Sequence, residues 1–148
     1  NVKGELILPT EYEEPTMDEN KRRGMSTNFG IWWDGDLLRE LLDHETVQKY
    51  DWKTGRVNVI KRFDGRFNNG TKSNPCLSGD ILGDWREEVL VRDAQSTMLK
   101  LYTTDIPTDH RITCLMQDVP YRLSIATENV AYNQPPEPGF YLGVGIKK

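Results

Sequence analysis

The sequence predicts an all-β fold in which antiparallel strands form the four-stranded blades of a β-propeller. Short runs of β-branched and aromatic residues alternate along the chain with turn signals rich in Gly, Asn and Asp. A pattern of residue types also recurs at a fixed spacing. Repeats of this size built from short strands are typical of propellers.

Length and charge restrict the class of protein. A chain of 148 residues is long enough for one domain with a real core. Its net charge of −4 and the lack of a basic face argue against a nucleic-acid partner. No apolar run approaches the ~18 residues of a membrane span, so we expect no membrane partner. The chain begins at Asn1 without Met or a signal segment, which predicts a processed product, an engineered piece or a fragment.

A series of strands and turns runs from Phe29 to Ile60. Phe29–Trp33 is an apolar run that fits a buried strand, and it ends at an Asp-Gly-Asp turn. The leucines of Leu37–Leu42 would also suit an amphipathic helix, but a strand is favoured because two more strands follow. These are Val47–Trp52 and Arg56–Ile60, joined by a Lys-Thr-Gly turn. The segment therefore predicts an antiparallel meander of three or four strands.

Three short motifs of this meander recur further along the chain. Gly35-Asp36 recurs 48 residues later as Gly83-Asp84. Glu40-Leu41-Leu42 recurs at the same spacing as Glu88-Val89-Leu90. Gln48-Lys49-Tyr50 recurs as Lys100-Leu101-Tyr102 at a spacing of 52. Propeller blades explain such a repeat, although a chance likeness between two hairpins of a β-sandwich would also produce it. A propeller ring needs about 4–8 blades. Two blades therefore predict a piece of a larger propeller, or else a different fold.

Both ends of the chain contain further predicted strands. Leu6–Leu8 is a candidate strand before a charged, proline-marked loop. Tyr121–Thr127 is a second candidate, and the polar loop after it leads to a rigid Pro135-Pro136 turn. Phe140–Gly143 is expected to close the chain with a final apolar strand.

A cluster of carboxylates after residue 79 indicates a metal site. Asp84 and Glu88 point to the same side of an extended segment, and Asp80 lies close by in sequence. Clustered carboxylates repel one another unless a cation neutralises them, and all-oxygen ligation suits calcium. The alternative is that Arg86 and water solvate an acidic turn. Asp34 and Asp36 occupy the equivalent place in the first repeat and are weaker candidates.

Two other features carry less information by themselves. The turn Asn69-Gly70-Thr71-Lys72 presents a hydroxyl and a cation, but Asn-Gly turns with a nearby lysine are common on protein surfaces. Cys76 and Cys114 lack metal-binding spacing, and we expect free thiols rather than a disulfide.

Three longer stretches closely resemble the C-terminal part of rhamnogalacturonan lyases of polysaccharide lyase family 11. They are Asn69–Pro75, Asp80–Val89 and Asn129–Pro136, and the resemblance extends over about residues 28–143. It implies an eight-bladed β-propeller that holds several calcium ions. It also implies cleavage of the rhamnose–galacturonate backbone of pectic rhamnogalacturonan I by β-elimination. On this basis residues 1–27 complete a preceding blade, and residues 28–148 form the C-terminal blades.

The same resemblance assigns roles to individual residues. Asn69, Gly70 and Thr71 match a motif that lines the substrate cleft. Lys72 is a candidate for charge stabilisation or proton transfer, and Tyr132 matches a cleft tyrosine that protonates the leaving oxygen or binds sugar. The implied calcium ligands are Asp80, Asp84, Glu88 and the backbone carbonyl of Arg86 at one site, with Asn129 at another.

The resemblance also predicts partners and location. Part of the cleft would come from the N-terminal blades of the same enzyme or from another copy of the chain. The enzyme would be secreted or periplasmic. The alternative function is a non-catalytic, calcium-stabilised β-module that binds pectic sugar or a partner chain. Because an isolated piece of a propeller exposes strand edges, we expect it to associate.

Overall fold

A computed structural model describes residues 27–70, 72–130 and 133–146. The predicted strand Leu6–Leu8 and nearly all of the proposed segment 1–27 lie outside these residues. The strands, in chain order, are β1 Gly30–Ile31, β2 Glu40–Asp43, β3 Thr46–Asp51, β4 Arg56–Arg62, β5 Leu77–Gly79, β6 Glu88–Arg92 and β7 Leu99–Tyr102. A 3-10 turn, Leu115–Gln117, precedes helix α1, Val119–Thr127.

The first four strands form an antiparallel sheet in chain order, β1-β2-β3-β4. The connection from β2 to β3 is a tight turn in which His44 and Glu45 both have positive φ, as two-residue hairpins require. Asp51 stabilises the next turn by accepting hydrogen bonds from Lys53 N and Thr54 Oγ1. The predicted meander is confirmed, and Leu37–Leu42 contributes a strand rather than a helix.

The second sheet contains three antiparallel strands in the order β5-β6-β7. Glu40 opens β2 opposite Ile31, and Glu88 opens β6 opposite Gly79, so the repeat at a spacing of 48 is present in both pairs of strands. The antiparallel all-β class is confirmed for the described strands. Their arrangement as propeller blades stays a prediction.

The third strand of the repeat is offset from the sequence match. Leu41 pairs with Gln48 in the first sheet, and its counterpart Val89 pairs with Tyr102 in the second. Gln48 therefore corresponds to Tyr102, at a spacing of 54, and the predicted spacing of 52 is wrong by two residues. The connection between β6 and β7 is four residues longer than that between β2 and β3, which accounts for a spacing of 52. The β6–β7 ladder also extends by one further pair, Arg92–Leu99, and this pair adds the other two residues.

One apolar core contains residues from both sheets. Its buried members are Phe29, Ile31, Trp33, Leu42, Val47, Phe63, Phe67, Val89 and Val91. The ring of Phe63 lies 5.7 Å from Trp33, 5.9 Å from Phe67 and 4.9 Å from Tyr102, measured between centroids. Since Trp33 follows β1 and Tyr102 ends β7, this aromatic cluster packs the two sheets against each other.

The segment Tyr121–Thr127 is helical, and the prediction of a strand there is wrong. The carboxylate of Asp118 caps the helix by accepting a hydrogen bond from Tyr121 N at 3.0 Å, and Pro120 stands in the first turn. Tyr121 and Ile125, four residues apart, join one apolar cluster. The β-forming residues suggested a strand, but the cap and the helical spacing of the apolar pair determine the outcome.

A buried hydrogen-bond network connects the helix to both sheets. Tyr121 Oη donates to Glu87 Oε1 at 2.7 Å and accepts from Asp80 N at 2.9 Å. Glu87 Oε2 accepts from Trp32 N, and Glu87 N donates to Trp32 O, each at 2.9 Å. Arg39 lies 3.8 Å from Glu87 and 4.2 Å above the Trp32 ring. Burial raises the pKa of Glu87 to about 7.

The chain beyond the helix has no strand in its described residues. Phe140–Gly143, expected as a closing strand, forms bends, although Leu142 packs into the second apolar cluster with Trp32 and Trp85. Cys76 and Cys114 are free thiols, as expected. None of the helices in the described residues is long and apolar enough to cross a membrane.

Replacing Tyr121 by Phe is expected to lower the free energy of unfolding by roughly 2–4 kcal/mol, because a buried carboxylate and the Asp80 amide lose their shared partner. Denaturant unfolding measures the change. Tyr141→Phe is the matched control, because the Tyr141 side chain is exposed and its hydroxyl donates one hydrogen bond, to Val144 O. Equal losses in the two variants would contradict the structural role of Tyr121.

Candidate functional site

Residues 68–70 and 72–74, which lie between β4 and β5 in the chain, form the two sides of a tight hairpin loop. Asn68 and Asn74 exchange both backbone hydrogen bonds, at 2.6 and 3.2 Å. Asn69 O accepts from Lys72 N at 2.6 Å and from Ser73 N at 3.0 Å. Asn69 and Ser73 have φ values of 53° and 51°, a conformation that asparagine tolerates better than most residues. The loop thus carries Gly70 and Lys72 at its tip, while Thr71 lies outside the described residues.

A chain of asparagine side chains joins this hairpin loop to the loop after helix α1. Asn69 Nδ2 donates to Asn133 Oδ1 at 2.8 Å, and Asn133 Nδ2 donates to Asn129 Oδ1 at 2.7 Å. Asn129 Nδ2 donates to Cys76 O at 2.6 Å. The structure therefore brings together two of the predicted site residues, Asn69 and Asn129. Tyr132 lies outside the described residues.

Two residues of this arrangement were missed in the sequence. Asn133 is only 7% exposed, and its side-chain amide forms hydrogen bonds through both its oxygen and its nitrogen. Its spacing of four residues from Asn129 was the sequence feature that could have indicated a contact between the two side chains. Glu128 is buried, and its carboxylate accepts from Ser78 N at 3.0 Å and from Ser78 Oγ at 2.9 Å. Burial raises the pKa of Glu128 to about 7. It anchors the start of the second loop to strand β5.

The first acidic turn, residues 34–40, groups three carboxylates around a lysine. One oxygen each of Asp34, Asp36 and Glu40 lie within 4.8 Å of one another, close enough to hold a metal ion. Lys49 Nζ lies 2.7, 2.6 and 2.7 Å from these three carboxylates, respectively. Burial lowers the pKa of Lys49, but the three hydrogen bonds outweigh it, and the net pKa lies above its ordinary value. Glu40 and Lys49 were not predicted as members of this site.

The second acidic turn, residues 82–88, holds its carboxylates apart. Glu88 Oε2 accepts from Ile81 N and Leu82 N, both at 2.9 Å, and its Oε1 accepts from Thr103 Oγ1 at 3.1 Å. Asp84 forms an ion pair with the side chain of Arg86. Within the described residues, the first turn contains the group of three acidic side chains that lie close enough to bind one cation. Asp80, Asp84 and Glu88 do not form a second group of this kind.

Asp80 nevertheless retains one feature of a cation ligand. Its Oδ2 accepts from Leu115 N at 2.6 Å, whereas its Oδ1 is buried and has no hydrogen-bond partner among the described residues. A buried carboxylate oxygen without a partner is costly and is commonly satisfied by a cation or ordered water. The chemistry of the Asp80 carboxylate therefore fits calcium, while the side chains of Asp84, Glu88 and Asn129 are held by hydrogen bonds or ion pairs.

The chain matches the family model of the rhamnogalacturonan lyase family 11 C-terminal domain over residues 12–148. It is 55% identical over 122 residues to the rhamnogalacturonan endolyase YesW of Bacillus subtilis (strain 168), covering 82% of this chain and 20% of that protein. It is 50% identical over 132 residues to the rhamnogalacturonan exolyase YesX of the same organism, covering 83% of this chain and 22% of that protein.

Solved structures agree with these matches. The crystal structure of YesW superposes with a TM-score of 0.80 at 54% identity, covering 83% of this chain and 21% of that chain. The Bacillus licheniformis rhamnogalacturonan lyase PL11 superposes with a TM-score of 0.79 at 55% identity, covering 82% of this chain and 21% of that chain. The chain spans about a fifth of the length of these relatives. The predicted family is confirmed: this chain belongs to the C-terminal domain of the family 11 rhamnogalacturonan lyases.

Proposed function

We propose that this chain supplies one wall of the active cleft of a rhamnogalacturonan lyase. The enzyme would cleave the rhamnose–galacturonate backbone of rhamnogalacturonan I by β-elimination. The proposal rests on the two side-chain hydrogen bonds that connect Asn69 to Asn133 and Asn133 to Asn129. These bonds hold together the two loops that contain the predicted cleft residues. Names of the relatives, all rhamnogalacturonan lyases, support the same reaction.

β-Elimination explains the residue types in these loops. The base removes the proton at C5 of galacturonate, the electrons of that C–H bond form the C4=C5 double bond, and the C4–O bond breaks. Lys72 stabilises the negative charge that develops on the galacturonate carboxylate, or it accepts the C5 proton. The second role requires a pKa well below about 10.4. Tyr132 donates a proton to the leaving oxygen or binds sugar.

The hairpin loop 68–74 provides the binding surface. Asn69 and Thr71 offer polar groups suited to sugar hydroxyls and carboxylates. Apart from its chain neighbours, a side-chain carbon added at Gly70 would meet no heavy atom of the described residues within 4 Å, so a sugar ring can approach this position of the loop. Loops held by a rigid sheet are a common location for binding residues, since the scaffold fixes their position.

Calcium is the cofactor that we propose for the intact enzyme. Asp80, whose buried Oδ1 has no partner among the described residues, is the residue that would hold it near the second acidic turn, and Asn129 would belong to another site. Asp84, Glu88 and the Arg86 carbonyl would join Asp80 only if Asp84 and Glu88 left their present partners, Arg86 and the amides of Ile81 and Leu82. A bound calcium ion supplies positive charge that withdraws electron density from a uronate carboxylate.

The remainder of the cleft would come from the rest of an eight-bladed propeller. The outer strands of both sheets expose apolar side chains, Val57 and Val59 on β4 and Leu99 and Leu101 on β7. Exposed apolar side chains on the face of a strand suit packing against neighbouring blades. Because the polymeric substrate is a cell-wall polysaccharide, we propose that the enzyme is secreted or periplasmic.

A second candidate function is a non-catalytic, calcium-stabilised β-module that binds pectic sugar or a partner chain. This chain covers only about a fifth of the length of its relatives, and that small share favours the non-catalytic function for the chain tested by itself. The activity of a chimera that carries this chain in a full-length lyase distinguishes the two functions.

The first test is a chimera of YesW in which the matching fifth is exchanged for this chain. It is expected to cleave rhamnogalacturonan I, detected as ultraviolet-absorbing unsaturated uronate. Lys72→Ala should lower kcat by about 10²–10⁴-fold with little change in KM, because its charge acts on the transition state. Lys53→Ala, in the exposed turn between β3 and β4, is the matched control and should retain full activity.

A Lys72→Ala chimera with undiminished kcat would exclude the proposed role of Lys72. A folded chimera that binds the polysaccharide but yields no unsaturated product would contradict the lyase proposal and favour the non-catalytic module.

Replacing Asn133 by Ala in the same chimera is expected to lower kcat/KM by roughly 10–100-fold, because the two loops lose their shared amide and their relative position shifts. Gln134→Ala, at an exposed neighbouring residue, is the control. Thermal melting separates misplacement from unfolding. Normal activity in a folded Asn133→Ala chimera would show that this amide does not position the cleft.

The chain by itself is expected to self-associate through its exposed strand edges. Light scattering coupled to gel filtration should show species larger than 17.1 kDa, and Val59→Lys on β4 should shift them toward the monomer. A stable wild-type monomer at high concentration would count against this expectation.

A further inference from the structure

The two acidic turns share one pattern of hydrogen bonds from backbone amides to side-chain carboxylates. In each turn, the glutamate that begins the following strand accepts hydrogen bonds from two backbone amides. Glu40 accepts from Trp33 N at 2.8 Å and from Asp34 N at 3.2 Å. Glu88 accepts from Ile81 N and Leu82 N. Asp36 and its counterpart Asp84 each accept from the amide two residues later. The turns therefore share one geometry and can be compared directly.

The cation that neutralises each turn is different. Arg86, a residue of the second turn itself, pairs with Asp84. In the first turn the cation is Lys49, which reaches in from strand β3. The register of the sheets makes Thr103 the counterpart of Lys49, and Leu82 stands where the first turn has Asp34. The first turn therefore contains a third carboxylate and a lysine that the second turn lacks.

The geometry around Lys49 is saturated. An ammonium group has three N–H donors, and Asp34, Asp36 and Glu40 each accept one hydrogen bond from Nζ. The side chain of Lys49 is 22% exposed, and that of Glu40 is fully buried. A divalent ion on the same three oxygens would lie within a few ångströms of the ammonium, and the repulsion between them would oppose its binding.

We propose that Lys49 is the resident cation of the first acidic turn, filling the position that a divalent ion would otherwise take between Asp34, Asp36 and Glu40. The first turn therefore folds without metal, and removal of the ammonium converts it into a calcium site. This inference concerns metal occupancy and holds whether or not the chain takes part in elimination.

The test compares calcium binding and thermal stability of the 148-residue chain and its Lys49→Ala variant. In chelator, Lys49→Ala should lower Tm by roughly 5–15 °C, because three carboxylates lose their counter-charge. Calcium should restore at least half of that loss. Calorimetric titration with CaCl₂ should count one more bound ion per chain in the variant than in the wild type.

Two further variants make the test specific. Lys100→Ala removes a lysine that pairs with one exposed carboxylate, Asp64, and should gain no calcium. Asp36→Asn in the wild-type background should leave the number of bound calcium ions unchanged, because the proposal places no metal there. The same substitution added to Lys49→Ala should abolish the gained ion.

Loss of one calcium ion in the Asp36→Asn single variant would overturn the proposal, since it would place a metal in the turn beside Lys49. Absence of any gained ion in a folded Lys49→Ala variant would overturn it as well. If Lys49→Ala does not fold, the Asp36→Asn comparison alone decides between a resident lysine and a resident metal.

Discussion

The buried carboxylate of Glu87 is the interaction on which the rest of this structure depends. It accepts hydrogen bonds from Trp32 in the first repeat and from Tyr121 in the helix, while its own backbone lies directly before β6. An unpaired charge at that depth would cost several kcal/mol, so its partners must be in place together. The network therefore fixes the two sheets and the helix relative to one another.

Strand β5 transmits this rigidity to the candidate cleft. Ser78 binds the carboxylate of Glu128, and Cys76 O binds the side chain of Asn129, so the loop after the helix starts from a fixed point on the sheet. Asn133 then connects that loop to the hairpin loop at Asn69. The described members of the predicted cleft, Asn69, Gly70 and Lys72, thus lie on a loop that side-chain hydrogen bonds connect to its neighbour, an arrangement that suits a preorganised binding surface.

Local sequence signals predicted the first sheet well and the third repeated strand poorly. The tight turns and β-forming runs between Phe29 and Ile60 act over a few residues, and they produced the meander that is observed. The register of β7 is defined by its backbone pairing with β6, in which Tyr102 lies opposite Val89, and no local motif encodes that pairing. The β-forming residues of Tyr121–Thr127 predict a strand, but tertiary packing and the cap at Asp118 override this propensity and produce helix α1.

The sequence by itself determined the family, the antiparallel class and the repeated turns, because long motifs and short-range turn chemistry are written in consecutive residues. Only the tertiary structure decided which cation neutralises the first acidic turn and which amide joins the cleft loops. Lys49 is nine residues from Glu40, and Asn133 is 64 residues from Asn69. Contacts of this kind arise from strand register and packing, so residue types alone do not reveal them.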